Sequence, residues 1–393
     1  MTIAAVPPLL ALGLLLSPQE TPTPKAVSPT LEASFTGEVV SAIEPGLSKG
    51  NTYQGRISVT AELSTEEAGW WHGGTFFGEI IHLHGGNPTP AFVGAVQTVS
   101  NIEGESTSRL MQLWYQHELD DKGSSLLLGQ HDMNSECAAS DHGCLFLNSS
   151  FGLQPDISVN APVSTYPMGA LGARLAWAPG GDCFLRFSLY DGDPGSLANN
   201  PRGTRWKLSA KEGVMIFSEF LWQPAPSESG KTLVRNLRLG TWRHTAEFED
   251  VRQKTARGDF RMHPENYGIF SGGDFALLEY DEGGIFAFFQ GGWAPEDRNE
   301  IESYFSLGLT GRGLLPGRPN DSLGLAIGRA DISSDLRKAT GRLAHETLVE
   351  LTYRAEISPA FSIQPDFQWI IHPGSDPRIS NSGVAMLRFE LTF

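Results

Sequence analysis

Long apolar runs are missing from this chain of 393 residues. None approaches the ~18 residues that a membrane-spanning helix needs, so a helical bundle of the bilayer is excluded. Positive charge is scarce: 29 Lys and Arg stand against 45 Asp and Glu, a net charge of −16. A nucleic-acid partner is thereby excluded, since such partners call for a basic face. Cysteine is nearly absent, at three residues. Cys137 and Cys144 bracket a short loop and form the disulfide candidate for an oxidising compartment, with free thiols as the alternative. Nearby Asp141 and His142 do not complete a four-ligand metal set. His82 and His84, with His72 upstream, lack a further ligand at a fitting spacing. There is no phosphate-binding glycine loop with its lysine. Gly46-Leu47-Ser48-Lys49-Gly50 spells a nucleophile elbow, but that motif needs a strand before it and a helix after it. Here Pro45 precedes it and a strand-like run from Tyr53 follows. No catalytic constellation, metal or cofactor is expected.

What is present is alternation. The 44 glycines and 25 prolines fit many turns better than long helices. In the last ten residues, Ala385, Leu387, Phe389, Leu391 and Phe393 share one face of a strand, and Met386, Arg388, Glu390 and Thr392 the other. The same pattern recurs. Tyr53, Ile57, Val59, Ala61 and Leu63 share a face. Met111, Leu113, Tyr115 and Leu119 oppose Gln112, Trp114, Gln116 and Glu118. Ala173, Leu175 and Trp177 oppose Arg174. Leu185, Phe187 and Leu189 oppose Arg186, Ser188 and Tyr190. Val349, Leu351, Tyr353, Ala355 and Ile357 oppose Glu350, Thr352, Arg354 and Glu356. Strands of about 9–11 residues, apolar towards lipid and polar towards a lumen, build a closed membrane barrel. Sixteen of them, with their turns, use roughly 22 residues apiece. The expected fold is therefore all-β, a transmembrane antiparallel barrel of sixteen strands over residues 31–393. A soluble β sandwich with one wet face has the same alternation and is the rival. Trp70, Trp71, Trp177, Trp222, Trp293 and Trp369 near strand ends suit interfacial aromatic girdles.

Ahead of the barrel, Ile3 to Leu16 is apolar and too short to span, which matches the core of a secretory signal peptide over residues 1–19. It has no preceding Lys or Arg. Residues 20–30 are a Pro/Thr-rich linker.

The segments "VQTVSNIEG", "RLMQLWYQHEL", "LLLGQHDMNSE", "LFLNSSFG", "YPMGALGARLAW" and "LYDGDPG" follow one another between Val96 and Gly195. "LGTWRHT", "YGIFSGGD" and "GLLPGRPNDSLGLAIGRADIS" come later. Together they resemble the carbohydrate-selective porins of the OprB family. The resemblance implies a Gram-negative outer-membrane barrel that passes glucose and related sugars into the periplasm by diffusion, with extracellular loops folded inward. It implies sugars as transported solutes, outer-membrane lipid around the barrel, and delivery by the barrel-assembly machinery through the strand ending in Phe393. Whether the barrels are monomers or homo-oligomers stays open. A general pore and an outer-membrane barrel enzyme are the other readings.

A sugar leaving water needs hydrogen-bond partners and a flat apolar surface. Trp114, between Gln112 and Gln116, is the first stacking candidate; Trp242, on a face with Arg238 and His244, is the second. Glu118, Arg174, Arg186, Tyr190, Glu350, Arg354, Arg388 and Glu390 are expected to face the lumen. A one-residue slip would put the arginines into lipid at about 2–4 kcal/mol each. Constriction loops are expected over Gln130–Phe151, with Asp132, Asn134 and Asn148, and over Asp191–Arg205, with Asp191 and Asp193. Ordinary turn roles are the alternative for these five.

Overall fold

The computed structural model describes residues 28–225, 232–281 and 283–393. The expected signal segment 1–19 and nearly all of the linker 20–30 lie outside them. The first strand begins at Thr30, within the linker's last residue.

Sixteen antiparallel strands close on themselves. They are β1 (Thr30–Glu44), β2 (Gly50–Ser64), β3 (Gly74–Gly85), β4 (Thr107–Glu118), β5 (Ser125–His131), β6 (Ala170–Gly180), β7 (Cys183–Asp191), β8 (Val214–Trp222), β9 (Val234–His244), β12 (Asn266–Tyr280), β13 (Gly283–Trp293), β14 (Ile301–Arg312), β15 (Ser322–Ile332), β16 (His345–Ser358), β17 (Phe361–Ile371) and β18 (Ser382–Thr392). A separate hairpin, β10 (Phe248–Lys254) with β11 (Phe260–His263), stands in the connection from β9 to β12. Closure joins β1 to β18 in the register Val39↔Leu387 and Phe35↔Leu391. The Phe393 N–H, beyond the last strand, donates to the Ala33 carbonyl. Among the described residues every barrel strand pairs with a neighbour on both sides, as hydrocarbon demands.

Outward side chains are the apolar set. Val39, Val59, Leu113, Leu175, Phe187, Leu239, Leu307, Leu325, Leu351 and Leu387 are all exposed on the outer face. The inner face carries buried Glu38, Glu79, Arg174, Arg238, Asp274, Glu350 and Arg388. The expected phase thus holds for most strands. Met111 departs from it. The β3–β4 register shifts between Glu79 and Ile80, and this bulge turns Met111 inward onto Ile81 and Leu83. A bulge inserts one residue and so inverts the alternation beyond it.

Connections at one end include the tight turns 181–182 and 359–360 and run to about nine residues at 65–73 and 313–321. At the other they are long, at 86–106, 132–169, 192–213 and 245–265. By the rule for such barrels, the short ones are periplasmic and the long ones extracellular. Trp70, Trp71, Trp177 and Trp222 then girdle the periplasmic end, and Trp293 and Trp369 the extracellular end.

Candidate functional site

Two long connections, 86–106 and 132–169, fold into the barrel. Their apolar residues meet inward-facing apolar residues of the wall. Val93, Val99, Phe146, Leu147 and Phe151 pack with Phe288, Leu348, Ile370, Val384 and Met386. Met133, Cys137, Leu153 and Ile157 pack with Tyr190, Met215, Phe217, Trp242 and Phe270. A barrel of this size would be a wide hole without them; the loops supply a core.

The backbone of these loops is tied to the wall by acidic side chains. Glu350 accepts the N–H groups of Leu147 (2.5 Å) and Asn148 (3.1 Å). Glu346 accepts those of Val96 and Gln97, both at 2.8 Å. Glu219 accepts that of Ala138 (2.9 Å). Asp274 accepts the Ser140 hydroxyl (2.6 Å) and the His142 N–H (3.3 Å). Gln368 donates to the Val99 carbonyl and accepts from Asn148. Buried loop backbone must find partners, and this wall provides them.

Several expected pore residues are consumed in this way. Glu350 is fully buried, Trp242 is 1% exposed and Tyr190 is 2% exposed. Trp242 sits under the loop among apolar side chains, and the Tyr190 hydroxyl pairs with the His131 ring at 2.7 Å. Arg238 is closed off against Asp274 and Asn236. These four positions face inward as the alternation predicts, but loop packing takes them out of contact with solvent.

Other inward groups form ion pairs: Arg56, Arg186, Arg354 and Glu390 keep part of their surface open, while Arg174, Arg388 and Glu38 are closed off by the loops. Arg56 meets Glu79 at 2.6 Å, and its guanidinium lies over the Tyr166 ring. Arg174 pairs with Glu136 of the inner loop at 2.5 Å and donates to Gln116 at 2.6 Å. Arg186 bridges Glu219 and the Glu136 carbonyl. Arg388 holds Glu38 (2.6 Å) and Asn101 (2.5 Å). Arg354 faces Glu390 at 3.3 Å. Gln112 donates to Glu79 at 2.9 Å and accepts from the Asp132 N–H, linking wall to loop. Glu118 is exposed at the periplasmic end of β4. Trp114 faces the lumen and stacks on Phe77 at 4.9 Å and 18° between ring planes. Glu38, Arg56, Phe77, Glu79, Asn101 and Glu136 were missed by sequence reasoning. The inward phase of β1, β2 and β3 would have named Glu38, Arg56, Phe77 and Glu79. Nothing in the alternation flags Asn101 or Glu136, which stand on loops.

Between the two inner loops lies a cavity of about 500 Å³, lined by Ser100, Asn101, Glu103, Phe146, Thr165 and Tyr166 among others. A second of about 410 Å³ lies on the periplasmic side, where His142 stacks on Phe286 at 4.4 Å beside Arg312 and Arg354. Burial pushes Glu103, held by Thr89, up to about 7.

The loop candidates are placed as follows. Asp132 accepts the Asn134 N–H and caps a short turn; Asn148 does the same for Ser150 while its amide reaches Gln368. Asn134 donates to the Cys137 carbonyl. The disulfide expectation is corrected: Cys137 and Cys144 are both free. Cys137 is packed into the apolar cluster under the loop, whereas the exposed Cys144 donates to the Asp141 carbonyl. The expectation of a second infolded loop at Asp191–Arg205 is also corrected. This connection runs over the outer face, where Arg202 pairs its carbonyl with the Leu110 N–H and Trp206 donates to Gln130 at 2.7 Å. Asp191 ends β7 pointing outward, and Asp193 caps its own turn at Gly195.

A closed antiparallel barrel with a lipid-facing apolar surface, aromatic girdles and loops narrowing a charged lumen is a porin of the outer membrane. The chain belongs to the carbohydrate-selective porin, OprB family, whose sequence profile matches residues 48–393. It is 23% identical to Porin B of Pseudomonas aeruginosa over 91% of this chain and 86% of that protein. It is 22% identical to the putative porin QuiX of Acinetobacter baylyi, over 92% and 88%. The fold matches the high-pH structure of Pseudomonas putida OprB with a TM-score of 0.84, at 20% identity, over 93% of this chain and 94% of that one.

Proposed function

We propose that this porin carries neutral sugars by passive, selective diffusion. The supporting observation is the Trp114–Phe77 stack on β4 and β3 next to the pair Arg56–Glu79 on β2 and β3, with Arg354–Glu390 a second pair that stays partly open. An ion-selective filter presents a ring of one sign. Here each guanidinium has its carboxylate, so the net field is small while donors and acceptors remain dense. That suits a neutral polyol, whose hydroxyls trade water for forked donors and acceptors and whose ring face slides over an aromatic. Contacts of this kind are weak and multiple, which transport needs. Family membership supports a channel rather than an enzyme. The exposed terminal Phe393 supports a handle for the barrel-assembly machinery.

The test is single-channel conductance in a planar bilayer with glucose, maltose and sucrose titrated as blockers. Discrete steps that a sugar closes in a saturable way are expected. Steps indifferent to every sugar would leave a general pore, and no steps from folded protein would remove the channel altogether.

A further inference from the structure

The outward loop offers a site that transport does not use. Its residues Arg202, Arg205, Lys207 and Lys211 are all exposed. No acidic residue lies between them, in a chain carrying −16 overall. None of the four forms an ion pair among the described residues. Trp206 is 52% exposed and Leu208 72% exposed in the same stretch. The loop is fixed against the barrel exterior: the Thr107 hydroxyl donates to Pro201, the Leu110 N–H to Arg202, and Trp206 to Gln130.

Beneath Leu208 and Ala210 runs a mainly apolar groove of about 630 Å³, walled by Leu171, Ala173, Leu189 and Val214. These four belong to the lipid-facing set of β6, β7 and β8 at the extracellular end. Asp191 also borders the groove, with one carboxylate oxygen lacking a partner. Lys207 and Lys211 flank the groove-lining residues Leu208 to Ala210, so cations border the apolar groove, and Arg205 and Lys207 share a small cleft with Asp193 and Glu212.

We propose that this groove seats an acyl chain of an outer-leaflet lipid whose phosphorylated, sugar-based headgroup is held by Arg202, Arg205, Lys207 and Lys211. Cations at a membrane surface draw anionic headgroups, and an exposed tryptophan beside them suits the interface. A hydroxyl or amide of the headgroup would satisfy Asp191. A second barrel is a poorer occupant, because two copies would oppose like charges.

The experiment uses the whole chain in detergent, analysed by native mass spectrometry with added bis-phosphorylated lipid A or its dephosphorylated form. Wild type should retain one phosphorylated lipid at a half-saturating concentration about tenfold lower than for the dephosphorylated one. The variant R202Q/R205Q/K207Q/K211Q should bring the two within about twofold. Its cold-SDS resistance and conductance should match wild type, since the loop lies outside the lumen. Brominated acyl chains should quench Trp206 in wild type. Equal retention of both lipids, a variant that keeps the preference, full displacement by inorganic phosphate, or a lipid-free dimer would each overturn the proposal. Sugar block is read separately, so failure here is distinguishable from failure of the channel reading.

Discussion

Glu38 is the most demanding single residue of the lumen. It is fully buried and takes hydrogen bonds from Gln54 (2.6 Å), Ser100 (2.7 Å) and Arg388 (2.6 Å). Removing one partner of a buried pair strands the other charge at about 3–5 kcal/mol. Arg388→Ala should lower the unfolding free energy of the refolded barrel by that amount in urea titrations, and Glu38→Gln added to it should recover most of the loss. At the passage itself, Trp114→Ala should weaken sugar block about fivefold, the equivalent of about 1 kcal/mol of lost ring contact. An unchanged blocking constant would remove the stack from the solute path. The inward direction of Trp114, Arg174 and Arg388 was legible because strand side chains alternate strictly. Whether an inward side chain meets solute or loop was not, since Glu350 and Glu390 obey the same alternation and only the fold of a distant segment separates them.

At the scale of elements, the inner loop 132–169 is held by groups that prefer to be uncharged. Asp156, in the short helix Pro155–Ser158, faces Gln154 and the Gly292 backbone, and burial pushes its carboxyl up to about 7. Glu103 is raised to about 7 by burial on the neighbouring loop, with the Glu38 charge adding to the shift. Carboxyls in the unfolded chain titrate near about 4. An acid raised above that value stabilises the docked loop fully below the unfolded pKa and loses the contribution as pH climbs through about 7. Backbone amide exchange in 132–169 should therefore be slower at pH 5 than at pH 8 after correction for intrinsic rates, and Asp156→Asn should flatten the difference. A wild-type loop equally protected at both values would refute it. The direction of loop 192–213 was open to inspection in its sequence, where Arg202, Arg205, Lys207 and Lys211 alternate with Trp206 and Leu208. The two infolded loops, 86–106 and 132–169, contain no Lys or Arg, whereas this one carries four.

For the whole molecule, the proposed assembly role of Phe393 is separable from its part in stability. Phe393 contributes a backbone hydrogen bond at the seam, yet its ring is 76% exposed. Phe393→Ala should leave the heat-denaturation temperature of barrels refolded in detergent within a degree or two, as expected of surface changes, while reducing the folded yield in cells. Equal losses in both would assign the ring a packing role. The seam has one further effect, on timing. The inner loops are laid down early in the chain, but they are fastened by residues far downstream: Gln368 to Val99, Arg388 to Asn101, Glu350 to Leu147. Contacts of such sequence separation form late. The aperture is therefore finished by the closing strands themselves, and a barrel caught before closure would be a leak without a sieve. Selectivity here is a certificate of completed assembly.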